Sequence, residues 1–117
     1  NLAMVYQRMG KEAETMALYD QITQWSPTRA VALNNLAWML LTAKNPLLRN
    51  NARALSLARR AVSLQPVPQF QDTLAEACYQ NGLTDEAIQV IQEAIKGARE
   101  NRAYYEGQLK KYRFERR

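Results

Sequence analysis

The sequence predicts an all-α chain of antiparallel helix pairs, roughly seven helices and no strands. Three observations predict it. Apolar residues recur at i, i+3, i+4 and i+7 along most of the chain, the period of a helix buried on one face. Turn residues are sparse, 4 Gly and 4 Pro in 117 residues, and most fall between the apolar stripes. No segment alternates apolar and polar residues long enough to argue a strand.

The elements follow in order. Leu2, Tyr6 and Met9 share a first stripe that stops at Gly10. Ala13, Met16, Ala17 and Ile22, with Tyr19 beside them, form a second that ends before Pro27. Leu33, Leu36, Ala37 and Leu40 form the third, and residues 43–48, AKNPLL, interrupt it at Pro46. Ala54, Leu57, Ala58, Ala61 and Leu64 resume the period until Pro66 and Pro68 end it, since proline cannot donate to a helix ladder. Leu74, Ala75, Cys78 and Tyr79 follow, closed by Gly82. Thr84 then precedes Asp85 and Glu86, which reads as an N-cap with acids in the first turn. Ala87, Ile88, Ile91, Ala94 and Ile95 form the next stripe, and Tyr105, Leu109 and Tyr112 the last, among Lys and Arg.

Composition narrows the chemistry. The length suits one domain able to bury a core without disulfides or metals. There is no His, so no imidazole base or His ligand, and the single Cys78 excludes an internal disulfide and a multi-Cys zinc site. Cys78 lies on an apolar stripe and reads as a buried, inert thiol. Asp72 and Glu76, one turn apart, are the one carboxylate pair worth weighing for acid–base work. No nucleophile, base or metal set stands beside them, and a polar stripe is the simpler reading. The expectation is no enzyme, no catalytic residue, no cofactor and no metal. The longest uncharged stretch, between Arg29 and Lys44, is too short to span a bilayer. Asn1 opens directly into a helical pattern, so a piece cut from a longer array is expected.

Charge is uneven. The chain carries +5 overall, yet no acid lies between Asp20 and Asp72, while Arg49, Arg53 and Arg60 share one helix face. Such a stripe could meet nucleic acid, anionic lipid or an acidic protein. A solvated face is the commoner meaning, and no aromatic interleaving or nucleic-acid motif supports the alternative.

The helix pairs repeat. Leu2-Ala3, Leu36-Ala37 and Leu74-Ala75 align, as do Ala54 with Ala87, Ala61 with Ala94, Gly10 with Gly82 and Pro27 with Pro66. The first two Leu-Ala pairs stand 34 residues apart, the period of one helix-turn-helix repeat family. On these residues, and on Tyr6, the chain resembles tetratricopeptide-repeat (TPR) proteins, in particular the terminal repeats of large bacterial ones. Departures are Thr15 where a small Ala is usual, the 43–48 insertion, and Arg99 near the place of a closing Pro. The resemblance implies a TPR-like α-solenoid. Residues 1–99 would hold about three repeats, 1–27 lacking its start, 28–66 with the insertion, and 67–99. Residues 100–117 would form a basic capping helix, with Tyr105, Leu109 and Tyr112 inward and Lys110, Lys111 and Arg113 outward. The insertion should lengthen a loop at little entropic cost.

In that family the first helices of successive repeats line a concave groove where ligands bind. The corresponding residues are Met4, Gln7 and Arg8; Val31, Asn34, Asn35, Trp38, Leu41 and Thr42; and Asp72, Thr73, Glu76, Tyr79 and Gln80. The resemblance therefore implies a scaffold that holds a peptide or protein segment. The candidate contacts are Met4, Arg8, Asn34, Asn35, Trp38, Leu41, Asp72, Glu76 and Tyr79. Amides can bond a peptide backbone both ways, and an aromatic is a typical anchor. Trp38 could equally pack against the next helix. Carboxylate clamping is not expected, because Gln69 and Thr73 stand near the places of the required cations. The alternatives are a structural spacer, a self-associating end of a longer solenoid, or anionic-partner binding through the Arg face. The expected partner is another protein or peptide, not nucleic acid or membrane, with the chain a monomer or weak homodimer. Several bacterial relatives of this type are membrane-anchored, which leaves both cytoplasmic and extracytoplasmic locations open.

Overall fold

A computed structural model describes residues 12–26 and 28–115. They form α1 (Glu12–Trp25), α2 (Ala30–Thr42), α3 (Asn51–Leu64), α4 (Pro68–Gln80), α5 (Thr84–Gly97) and α6 (Arg102–Phe114), with a 3-10 turn at Pro46–Leu48. No strand occurs among the described residues. Six helices stand there in place of roughly seven. The stripe Leu2–Met9 lies outside the described residues, as do Gly10 and Pro27.

Each helix packs on the next in sequence, and α2 also packs on α4. Contacts between helix ends give the directions. Glu12, at the start of α1, accepts hydrogen bonds from the backbone of Lys44 and Asn45, just past the end of α2. Asn51, at the start of α3, donates to the carbonyl of Gln80, which ends α4. A Cβ on Gly97, the last residue of α5, would lie 3.5 Å from Pro68, the first of α4. These pairs are antiparallel.

The core explains the alanines. Ala37, Ala54, Ala58, Ala61, Ala75, Ala77, Ala87 and Ala94 are fully buried. Small side chains at the crossings let helix axes approach closely. Leu33, Leu36, Ile91, Cys78 and Tyr112 fill the spaces left, and so does Thr15, in place of the smaller Ala.

Several local expectations need correction. Pro68 does not end α3; it opens α4 at the first helical positions, where a missing N–H is harmless. Thr84 is the first residue of α5 and is buried, so Leu83 holds the cap position, without a side-chain cap bond. The side-chain caps sit at Asn45, which accepts from Leu47 N, and Asn50, which accepts from Arg53 N. The insertion does lie between α2 and α3, but it is tethered. Ala43 is buried, and Arg49 Nε donates to its carbonyl at 2.6 Å. Asn50 N donates to Leu40 O, and Leu48 packs on the core. Trimming it would therefore remove packing as well as loop length.

Gly82 closes α4 with φ of +80°, a conformation costly for any residue with a Cβ. Nothing lies within 4 Å of that Cβ, so strain alone sets the penalty. Gly107 also has open space but sits inside α6. The two should respond oppositely. Gly82→Ala should lower the unfolding free energy by about 1 kcal/mol. Gly107→Ala should raise it by up to about 1 kcal/mol. Urea denaturation followed by circular dichroism reads both.

Candidate functional site

Helix α4 carries an apolar stripe toward the core and, beside it, Asp72, Thr73, Glu76 and Tyr79. All four are buried, which four such residues on an outward face would not be. The cover is α6. Tyr112, fully buried, donates its hydroxyl to Glu76 Oε1 at 3.0 Å, and Lys111 Nζ donates to the same oxygen at 2.8 Å. Gln80 completes the set on Oε2 at 2.8 Å. The Tyr79 and Tyr112 rings stack tilted, centroids 4.9 Å apart, with the Lys111 ammonium 5.2 Å from each. Tyr79 donates its hydroxyl to the carbonyl of Glu115.

The two carboxyls respond in opposite ways. Burial pushes Asp72 up from 3.8 to about 6; a hydrogen bond from Gln108 opposes this, Glu76 adds to it, and Lys111 opposes it. Burial would also raise Glu76, but the bonds from Lys111 and Gln80, the charge of Lys111 and the Tyr112 hydroxyl outweigh it, and its pKa falls below the usual glutamate value. Burial and the Glu76 carboxylate beside it push the Tyr112 phenol far up, so it remains a donor. Asp72 Oδ1 is buried and finds no hydrogen-bond partner among the described residues.

Helix α2 presents a different surface. It contains no charged residue. Val31 is exposed, and Asn34, Asn35 and Trp38 are half-buried along the same side, with Thr42 exposed beyond them. Asn35 Nδ2 donates to the Tyr19 hydroxyl at 3.3 Å, tying α2 to α1. Asn34 Oδ1 is buried and unpartnered among the described residues. Leu41 is buried, yet it borders an open, polar cleft of about 470 Å³ with Arg49, Asn51 and Gln80.

The nine expected contact residues thus fall into three sets. Asn34, Asn35 and Trp38 remain accessible together on α2. Asp72, Glu76 and Tyr79 come together too, but under α6 instead of facing an open groove. Leu41 is in the core, and Met4 and Arg8, with Gln7, lie outside the described residues. Lys111 was expected to point outward; it turns onto Glu76, because a buried carboxylate draws the nearest cation. Sequence reasoning missed Gln108, and the Tyr-rich run of α6 was the only signal of what it covers.

The expected face of Arg49, Arg53 and Arg60 is not a single helix stripe, because Arg49 precedes α3. Arg53 pairs with Asp20 on α1, and Arg59, outside that set, pairs with Glu86 on α5 at 3.0 Å. Arg49 holds the Ala43 carbonyl. Cys78 is buried and donates to Glu86 Oε2 at 3.1 Å. Burial, that bond and the Glu86 charge push its thiol up to about 12, which keeps it un-ionised and unreactive. No group of three or more metal-ligating side chains occurs among the described residues, and no helix among them is long and apolar enough to cross a membrane. No protein-family model matches the chain, and no curated protein matches it.

Glu76 holds three donors from two helices. Glu76→Ala should destabilise the fold by about 3 kcal/mol, since it strands a buried hydroxyl and an ammonium. Because the folded pKa of Glu76 is depressed, its contribution is present above the normal glutamate range and is lost as pH falls through the folded value. Thermal melts at falling pH should show the advantage of the wild type over Glu76→Ala shrinking as pH drops below the usual glutamate value.

Proposed function

We propose that the chain is a TPR-type helical-repeat scaffold that holds a segment of another protein. The contact surface is the side of α2 bearing Val31, Asn34, Asn35, Trp38 and Thr42. The observation that carries this reading is the chemistry of that side: an uncharged strip with a half-buried indole, two amides and an exposed Val31. Amides match the donors and acceptors of a peptide backbone, and an indole is a frequent energetic anchor. The in-phase Leu-Ala pairs and closing Gly82 support the repeat architecture, and the packing of α2 on α4 fits neighbouring first helices. Rigid helices present such a strip preformed, so little ordering entropy is lost on binding. The partner segment would be apolar where it meets Trp38 and backbone-presenting where it meets the amides. An anionic partner on the arginine face has less support, since Arg53 already holds a carboxylate of this chain and Arg49 a backbone carbonyl.

A photo-crosslinking residue placed at Asn35 should capture the partner, and one placed at Arg60 should not. With the captured protein purified, Trp38→Ala should weaken binding by about 2 kcal/mol or more in a calorimetric titration. Affinity should change little with salt, as for an uncharged contact. Steep salt dependence, or equal capture from Arg60, would transfer the contact to the arginine face.

A further inference from the structure

We infer that α6 is a pH-responsive strap, held down on α4 while Asp72 is uncharged and loosened when Asp72 is charged. The inference does not depend on the groove reading. Its basis is the geometry under α6. Asp72 and Glu76 stand one turn apart on α4, 8% and 6% exposed. Carboxylates at that spacing repel each other even on an open helix. Among the described residues one cation, Lys111, reaches the pair, and it bonds Glu76. Both Glu76 oxygens have donors. Asp72 receives Gln108 from α6, while its Oδ1 has no partner among the described residues. A neutral carboxyl is far cheaper to bury in such a place than a carboxylate.

From α6 the groups facing Asp72 are Tyr104, Tyr105, Gln108, Lys111 and Tyr112; burial and the nearby carboxylates push the three phenols up. From α4 itself they are Glu76 and Tyr79. Helix α2 has no charged side chain. The charges that α3 and α5 bring near α4, Arg59 and Glu86, pair with each other beside Cys78. Glu76, its pKa lowered, shifts the opposite way, and its own dependence falls at and below the usual glutamate value.

The sign follows from Asp72 alone. Its carboxyl rises from 3.8 to about 6 when α6 covers it. The covered state therefore binds the proton more tightly. Its advantage is complete below the uncovered value and is lost as pH climbs through about 6. From about pH 5 to pH 8 the opening equilibrium of α6 should rise about tenfold. Opening would turn on the exposed link after Ala98, where Asn101 has φ of 60°, and would also release the packing of α6 on α5. It would uncover Glu76 and Tyr79, whose present occupant shows what the surface takes: a helix offering a lysine, a tyrosine and a glutamine on one side.

Amide hydrogen exchange on the whole chain tests the strap. Protection factors across Tyr105–Tyr112 should fall about tenfold from pH 5 to pH 8, while those of α3 stay level. In Asp72→Asn the difference should vanish and α6 should remain protected at pH 8. Equal protection of wild-type α6 at both pH values, or an Asp72→Asn chain that keeps the tenfold fall, overturns the proposal. Should Asp72→Asn fail to fold, a carbon-13 titration of the wild-type Asp72 carboxyl decides. A midpoint near 6 supports the strap, and one near 4 overturns it.

Discussion

The spacing between helices depends on alanine. Eight alanines with no exposed surface stand at the crossings of α2 to α5, and close approach of two helix axes is possible only where side chains are this small. The larger residues are then chosen by the gaps that remain: Leu33 and Leu36 on α2, Ile91 on α5, Tyr112 on α6. Ala58 and Ala75 have no exposed surface, so a larger side chain there must press on its neighbours, and overpacking of that kind costs about 1–3 kcal/mol.

Polarity under α6 stands in contrast to that apolar interior. The α4–α6 contact is made by phenols, an ammonium, amides and carboxyls, and its stability comes from complete bonding around Glu76. Burying such groups carries a desolvation penalty that an apolar contact lacks. What the polar set adds is selectivity of position: Lys111 and Tyr112 can satisfy Glu76 only if α6 lies in one register. The same arrangement leaves Asp72 in the less favourable site, one turn from a charge of its own sign.

How much of this was legible in the sequence follows from the range of each cause. Helical stripes are local, so Leu33, Leu36, Ala54, Ala61, Ile91 and Ala94 were read correctly as core from spacing alone. Gly82 was legible because a helix end that needs positive φ selects glycine. The inward turn of Tyr105 and Tyr112 followed from their period in a basic helix. The burial of Asp72 and Glu76 was not legible. Their exposure is decided by a helix thirty residues later, and polar residues on a helix face are by default solvated. Lys111 was misjudged for the same reason, since its direction is set by a carboxylate that the local sequence does not contain. The caps at Asn45 and Asn50 were readable and were passed over, each being an Asn just before a helical turn.

The tether at Glu12 has a kinetic side. It joins residues 32 and 33 positions apart, Arg53 and Asp20 join across 33, and Tyr112 and Glu76 across 36. These three ties close loops of similar size, beside the shorter one between Asn35 and Tyr19, 16 residues apart. Loop-closure entropy grows only slowly with length, so no one of these steps is much harder than another. Because each helix packs mainly on its neighbours in sequence, most contacts stay local, which goes with rapid folding.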